Sequence, residues 1–120
     1  MNKIEKGKRG ERIAEEIYKK WGHKILHRNA RTPFGEIDII TQCQGITHLI
    51  EVKVVGKSTF GSVYEKWKGR QRARFIRAIK YFVTKGIIEI ENITCELISI
   101  DITNPGTVRF KRFQNLPVDI

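Results

Sequence analysis

The chain has 120 residues, a length that supports one hydrophobic core and excludes two of ordinary size, so we expect a single domain over residues 1–120. Apolar residues make up 40% and charged residues 30%, which excludes the composition of an intrinsically disordered chain. The 23 lysines and arginines outnumber the 13 aspartates and glutamates, and the resulting formal net charge of +10 predicts a polyanionic partner, with nucleic acid ahead of an anionic membrane.

The start of the chain and its cysteines indicate the cellular compartment. Met1 to Arg12 is mostly charged, unlike a secretory signal, and no stretch approaches the roughly 18 apolar residues of a membrane helix. Cys43 and Cys95 stand without a CxxC pair or histidines at zinc-ligand spacing, which favours free thiols in a reducing compartment. We therefore expect a cytoplasmic protein with no membrane contact.

The first segment, about residues 4–21, has the pattern of an amphipathic helix. Its apolar residues recur at i, i+1, i+4, i+5 and i+8, and they are Ile13, Ala14, Ile17, Tyr18 and Trp21. Glu11 projects at the border of this apolar stripe. We therefore expect Glu11 to reach the body of the domain from the first helix.

Five strands and a second helix are predicted to follow. The strand patterns cover residues 23–28, 36–41, 46–55, 94–102 and 107–113, and a helical pattern covers about 62–84. Turn-forming residues separate them, including Thr32-Pro33-Phe34-Gly35 and Asn104-Pro105-Gly106. The order α, β, β, β, α, β, β predicts an α/β fold with helices against a sheet. Residues 115–120 are expected to be either a loose tail or a segment that docks on a partner.

Two carboxylates and an amine interrupt otherwise apolar strand sequence: Asp38 in the second strand, and Glu51 and Lys53 in the third. Side chains alternate between the faces of a strand, so Glu51 and Lys53 share one face. If Gln44 and Gly45 are the two central residues of the hairpin turn, the antiparallel register pairs residue 38 with residue 51. The two carboxylates would then be cross-strand neighbours, which is unfavourable unless a cation or a raised pKa relieves the repulsion.

A hard divalent ion, Mg²⁺ or Mn²⁺, relieves such a pair because both ions prefer oxygen ligands. We expect Asp38, Glu51 and the backbone carbonyl of Val52 to bind it, with Glu11 completing the shell directly or through water. A bound ion of this kind activates water and offsets charge on a phosphodiester, while Lys53 orients that water or stabilises the transition state. The alternative is an ordinary cross-strand salt-bridge ladder, and spacing by itself does not decide between the two.

Basic residues are concentrated in the second predicted helix and in the corner before the second strand. Between Lys66 and Lys85 the chain has no acidic residue, so this positive charge is not balanced locally. Seven side chains are expected to contact nucleic-acid phosphates, and they are Arg28, Arg31, Lys66, Lys68, Arg70, Arg72 and Arg74. A solvated basic face is the alternative. Trp67 and Phe60 are available either for base stacking or for core packing.

The order of these motifs resembles the YraN-like family of bacterial proteins. The matching motifs are Gly10-Glu11, Arg28-Asn29, Gly35-Glu36-Ile37-Asp38, Glu51-Val52-Lys53, and Phe60-Gly61 before a basic helix. That family is similar in turn to archaeal Holliday-junction resolvases and to restriction-endonuclease-like nucleases. The resemblance implies an αβββαβ core whose mixed central sheet is flanked by helices. It also implies that Asp38 and Glu51 ligate the metal, and that Lys53 and Glu11 complete the active site.

Three functions follow from these observations. The first is a divalent-metal-dependent DNA endonuclease acting on branched or irregular DNA such as Holliday junctions, where two symmetric cuts favour a homodimer. The second is a non-catalytic nucleic-acid-binding module, because a scaffold can keep a site and lose its chemistry. The third is a peripheral membrane or protein-interaction domain, which uses the positive charge and leaves the carboxylate pair unexplained.

Overall fold

The computed structural model describes residues 1–118. Its elements are α1 (Lys3–Lys20), β1 (Lys24–Thr32), β2 (Gly35–Cys43), β3 (Ile46–Val54), α2 (Val63–Lys66), α3 (Arg70–Thr84), β4 (Ile93–Asp101) and β5 (Arg109–Phe113), with 3₁₀ turns at Phe60–Ser62 and Ile90–Asn92. None of the helices within residues 1–118 has both the length and the hydropathy of a membrane span.

The five strands form one mixed sheet in the order β1-β2-β3-β4-β5. The pairs β1–β2, β2–β3 and β4–β5 are antiparallel. β3 and β4 are parallel, because the chain crosses over through α2 and α3 before it returns to the sheet. The predicted fold class, an αβββαβ core with a mixed central sheet flanked by helices, is therefore confirmed.

A helix covers each face of the sheet, and the apolar residues of the strands alternate between the two layers. The layer under α1 contains Ala14, Tyr18, Ile39, Ile50, Val52, Ile98 and Ile100. The layer under α2 and α3 includes Ile40, Leu49, Trp67, Phe75, Ile79, Cys95 and Leu97. Alternate residues of β3 and β4 thus face opposite helices, as a strand buried on both sides requires.

The second helix is interrupted, so the prediction of one helix over residues 62–84 is wrong. Gly69 has φ 65° and ψ −131°, a conformation that only glycine adopts readily, and α3 starts after it. The break turns Trp67 inward, where its side chain is 2% exposed and its ring lies edge-on to Phe75 at 5.5 Å between centroids. Core packing is therefore the role of Trp67, which leaves no ring face for a nucleic-acid base.

β1 continues four residues beyond the predicted end at Arg28. The pairing with β2 runs to Arg31↔Glu36 and Thr32↔Gly35, which leaves only Pro33 and Phe34 in the turn. The segment therefore pairs its backbone groups in the sheet, although its polar side chains do not alternate with apolar ones. This extension brings the β1–β2 turn beside α3.

The segment after β5 packs on the protein's own core. Leu116 is 9% exposed, and its N–H donates to the Cys95 carbonyl oxygen at 2.9 Å. The described part of residues 115–120 is therefore neither a loose tail nor a segment that docks on a partner, the two predicted alternatives, but packs on the protein's own core, and residues 119–120 lie outside the described residues. Cys43 and Cys95 are free thiols, as expected.

Candidate functional site

The hairpin register that brings Asp38 to Glu51 is confirmed. The ladder between β2 and β3 runs from Cys43↔Ile46 to Ile39↔Ile50, the register set by a turn at residues 44 and 45. Regular pairing ends at Ile39↔Ile50, and the next position in that register joins residues 38 and 51. There Asp38 Oδ2 accepts the backbone N–H of Val52 at 2.8 Å. The side chain of Asp38 thus replaces a backbone partner where the two strands stop pairing.

A cleft of about 230 Å³ opens at this point between α1, α3 and the ends of β2 and β3, and we call it the carboxylate cleft. Its lining residues are Glu11, Glu36, Asp38, Glu51, Val52, Lys53, Gln71, Arg74 and Phe75. Four of them are carboxylates and two are cations, so an acidic cleft lies in a protein whose formal net charge is +10. A local excess of buried negative charge favours a bound cation.

Asp38 and Glu51 are both withdrawn from water. Asp38 is 8% exposed, and the side chain of Glu51 is 12% exposed. Burial raises the pKa of Glu51 well above its usual range, the adjacent Asp38 raises it further, and Lys53 lowers it. Lys53 Nζ lies 3.9 Å from Glu51 Oε2, so the amine is next to the carboxylate pair as predicted.

Glu11 reaches the same cleft from α1. Burial raises the pKa of Glu11, the charge of Asp38 raises it as well, and a hydrogen bond with the Asn29 side chain lowers it. Asp38, on β2, therefore raises the pKa of both Glu11, on α1, and Glu51, on β3. Glu36 lines the cleft too, and its Oε2 lies 3.5 Å from Arg31 Nε.

Two glycines allow the helices to approach the cleft closely. A Cβ atom at Gly10 would lie 2.1 Å from Val54 Cγ2, and a Cβ atom at Gly35 would lie 2.2 Å from the carbonyl oxygen of Arg74. Gly10 precedes Glu11, and Gly35 precedes Glu36 in the sequence. The absence of these two side chains is what lets α1 contact β3 and lets α3 contact the start of β2.

The donor set fits an ion that keeps most of its water ligands. Within residues 1–118, no three His, Cys, Asp or Glu side chains stand in a geometry that encloses a metal ion. Mg²⁺ commonly binds proteins through one or two carboxylates and retains several waters, and Mn²⁺ accepts the same oxygen donors. Asp38 and Glu51 supply such a pair, and Glu11 is then placed to act through water.

The structure distributes the predicted phosphate-binding residues over several places. Arg74 lines the carboxylate cleft, and Arg31 lines a neighbouring groove together with Arg74. Arg28 is held by Glu15, with its Nε 2.9 Å from both carboxylate oxygens. The guanidinium of Arg72 lies over the rings of Tyr64 and Trp67 at 5.8 and 5.6 Å. Three others are exposed near the junction of α2 and α3, and they are Lys66, Lys68 and Arg70.

Phe60, at the start of the 3₁₀ turn, is partly covered. The guanidinium of Arg109 lies 4.6 Å from the centre of its ring. Phe60 therefore contacts a cation of β5, and it is not part of either core layer, so the choice between base stacking and core packing stays open for it.

Gln71 is a cleft residue that sequence reasoning missed. It lies three residues before Arg74 on α3, so the two side chains share a face of the helix and both line the cleft. The three-residue spacing between Gln71 and Arg74 was the signal available in the sequence. It indicates a shared helix face only once α3 is known to start at Arg70.

A buried ionic cluster was also missed. Glu96 is fully buried on the α1 side of β4, where it accepts hydrogen bonds from the Tyr18 hydroxyl at 2.8 Å and from Arg112 Nε at 2.7 Å. His48 Nδ1 is also hydrogen-bonded to it, and the rings of His48 and His23 meet at 4.4 Å. No local pattern marks these residues, since they come from four separate elements.

The fold and the cleft define a mixed α/β protein with a buried carboxylate pair where two central strands stop pairing. Residues 10–111 match the model described as "Uncharacterised protein family UPF0102", and the chain belongs to this family. This membership confirms the YraN-like resemblance of its motifs. The further likeness to Holliday-junction resolvases stays a prediction.

Several bacterial relatives match over most of their length. The UPF0102 protein of Petrotoga mobilis is 35% identical over 112 residues, covering 92% of this chain and 97% of its own. That of Persephonella marina is 34% identical over 95 residues, covering 79% and 82%. That of Caldicellulosiruptor saccharolyticus is 39% identical over 85 residues, covering 71% and 72%.

Proposed function

We propose that this protein is a divalent-metal-dependent DNA endonuclease, a phosphodiester hydrolase whose active site is the carboxylate cleft. The observation that carries the proposal is the contact of two buried carboxylates, Asp38 and Glu51, in an acidic cleft with an amine 3.9 Å away. Buried like charges in contact are costly unless a proton or a cation neutralises them. A bound metal ion would neutralise the repulsion between these two carboxylates and would also supply the chemistry of phosphodiester hydrolysis.

Five of the cleft residues have a role in that reaction. Asp38, Glu51 and the carbonyl of Val52 hold Mg²⁺ or Mn²⁺, and Glu11 contributes through water. When bound, the ion supplies an activated water and offsets the charge that builds on the phosphate. Lys53 orients the attacking water or donates to a phosphate oxygen. The hydrogen bond from the Val52 N–H holds the Asp38 carboxylate in place for ligation.

DNA is the substrate that best matches the charge of the protein. α3 carries arginines and a lysine with no acidic residue, and Arg31 and Arg74 lie beside the cleft. Phosphate contacts of this kind give affinity without sequence preference. We propose branched or irregular DNA, such as a Holliday junction, as the target, with a homodimer placing two active sites on it. The cytoplasm is the compartment in which we expect the protein to meet this substrate.

A cleavage assay tests the proposal. Supercoiled plasmid and a synthetic four-way junction are incubated with Mg²⁺ or Mn²⁺ and the wild-type protein, Asp38→Ala or Glu51→Ala. We expect metal-dependent cutting by the wild type that EDTA abolishes and that both variants reduce to background, because each loses a ligand. Glu91→Ala, a change of an exposed acid in the second 3₁₀ turn, is the matched control and retains activity. Equal background cutting by all four proteins rejects the nuclease.

A non-catalytic nucleic-acid-binding module is the second candidate. It is favoured by the finding that no three potential ligand side chains among residues 1–118 enclose a metal site. Salt-sensitive DNA binding that is unchanged by EDTA, together with no cutting under any metal condition, distinguishes this module from the enzyme.

A further inference from the structure

A continuous surface leads away from the carboxylate cleft along α3. Glu36 and Arg74 line both the cleft and a groove over the β1–β2 turn. Phe34 lines that groove and also a second hollow on the outer face of α3, which Tyr81 lines as well. The shared residues make cleft, groove and hollow one path, and the part beyond Arg74 has no role in the metal chemistry.

The far end of this path consists of two aromatic rings surrounded by cations. Phe34 is 57% exposed, and its ring centroid lies 6.2 Å from that of Tyr81. We call these two residues the aromatic platform. Its cationic border is formed by Arg77, Lys80 and Lys85, with Lys85 Nζ 5.6 Å from the centre of the Tyr81 ring. α3 itself contains no acidic residue that could neutralise this border.

The position of Phe34 is held by its turn. Thr32 Oγ1 accepts the N–H groups of Phe34 at 3.1 Å and Gly35 at 3.0 Å, and its own hydroxyl donates to the Gly35 carbonyl at 2.8 Å. Gly35 in turn lies against the backbone of Arg74, where a Cβ atom would clash. The exposed ring is therefore presented by a hydrogen-bonded turn that is fixed against α3, so little conformational entropy is lost when a ligand covers it.

The chemistry of the platform matches a nucleotide. Aromatic rings stack on nucleobases of any sequence, and adjacent lysines and arginines contact the phosphates. In a duplex the faces of the bases are already stacked on one another, so the platform selects bases that are unpaired. Tyr81 follows Arg74 by seven residues on α3, or about 10 Å along the helix axis. This distance corresponds to about three nucleotides at the 3.4 Å rise of a stacked strand.

We propose that the exposed ring of Phe34 stacks on an unpaired base of a DNA strand that runs from the carboxylate cleft along α3, with the Tyr81 ring inclined to it at 59° and flanking that base, so that the protein prefers DNA with a single-stranded segment next to the scissile phosphate. The position of the scissile phosphate rests on the proposed nuclease function. The preference in binding does not, because it is measured without metal.

The test measures binding of a fluorescein-labelled single strand and of the corresponding duplex by anisotropy in EDTA at low salt. We expect Phe34→Ala to lower the ratio of single-strand to duplex affinity by about tenfold, the effect of losing one stacked base. Phe34→Trp restores the ratio. Phe110→Ala is the matched control, since Phe110 is 43% exposed and lies beside Arg9 and Arg12 on the opposite, α1 side of the sheet. Thermal melting verifies that all three variants are folded.

The outcomes separate the platform from the nuclease. An unchanged ratio in Phe34→Ala, an equal loss in Phe110→Ala, or no single-strand binding by the wild type each overturns the platform. If the wild type also cuts DNA, it should cut a splayed-arm substrate faster than a duplex, and Phe34→Ala should lose this preference. Stacking without metal-dependent cutting would refute the nuclease and leave the platform intact.

Discussion

At the scale of single residues, the pKa of Glu51 in the carboxylate cleft affects the free energy of unfolding of the protein. Its pKa in the folded state is raised, first by burial and then by Asp38, above the value of about 4.3 for an exposed glutamate. A group with a raised folded pKa stabilises the fold at low pH, and that stabilisation is lost as pH rises towards the folded pKa. The metal-free site therefore destabilises the protein at neutral pH.

The raised pKa of Glu51 predicts how the free energy of unfolding depends on pH and on bound metal. In EDTA, the free energy of unfolding measured with urea should be lower at pH 8 than at pH 5, because folded Glu51 keeps a proton that the unfolded chain releases in this pH range. Mn²⁺ should raise the free energy of unfolding at pH 8 more than at pH 5, where protons compete with the metal. A metal effect that is the same at both pH values would contradict the assignment of this pair.

The variant Glu51→Gln tests whether the carboxyl group of Glu51 causes this dependence on pH and metal. In EDTA at pH 8 it should be more stable than the wild type by about 1 to 2 kcal/mol, because the amide keeps the size of the side chain and does not have to take up a proton on folding. It should also lose the stabilisation by Mn²⁺. Glu91→Gln, an exposed acid outside the cleft, should change neither quantity. A less stable Glu51→Gln protein would show that the carboxylate has a structural role instead.

At the scale of elements, two glycines of α1 offer a matched pair. A Cβ atom at Gly10 would meet Val54 at 2.1 Å, whereas nothing lies within 4 Å of one at Gly7. Gly10→Ala should lower the free energy of unfolding by about 1 to 3 kcal/mol through overpacking. Gly7→Ala should raise it by about 0.5 to 1 kcal/mol, the gain of alanine over glycine in a helix. Urea unfolding of both variants checks the opposite signs, and equal signs would contradict the close contact of α1 with β3.

Element by element, local signals explain which predictions succeeded. The turn at Gln44 and Gly45 has positive φ at both residues and sets the register of β2 and β3, so the closeness of residues 38 and 51, one position beyond the last pair, could be derived from spacing. The continuation of β1 to Thr32 could not, because it depends on pairing with β2 and not on an apolar pattern. The break at Gly69 was likewise hidden inside a sequence with good helical periodicity.

At the scale of the whole molecule, Glu96 links α1, β3 and β5 through Tyr18, His48 and Arg112 on the α1 side of the sheet. Burial raises its pKa, but hydrogen bonds with Arg112, His48 and Tyr18 outweigh this and leave the pKa lowered. A carboxylate with a lowered folded pKa stabilises the protein above about pH 4, and this stabilisation is lost as pH falls. The acid limb of the stability profile therefore includes Glu96, together with Asp101, whose pKa hydrogen bonds with Thr103 and Arg109 lower to about 2, and the alkaline limb belongs to the metal-free Glu51.

The variant Glu96→Gln tests how much Glu96 contributes to the loss of stability at low pH. It should lower the free energy of unfolding at pH 7 by about 3 kcal/mol, because Arg112 then remains buried without its counter-charge. It should also flatten the loss of stability between about pH 5 and pH 3. Glu89→Gln, an exposed acid, is the control, and denaturation profiles across pH measure both effects. An acid limb that is identical in Glu96→Gln and wild type would assign the limb to other carboxylates.

The sequence by itself determined the alternation of the strands, the hairpin register and therefore the meeting of Asp38 with Glu51, because these follow from turn residues and from a period of two along one stretch of chain. Only the tertiary structure decided that Glu11 and Arg74 line the same cleft, that Phe34 lies beside Tyr81 and that Glu96 meets Arg112 and Tyr18. Such contacts join residues far apart in the chain, so they depend on how the helices pack on the sheet, and that packing has no counterpart in any local pattern.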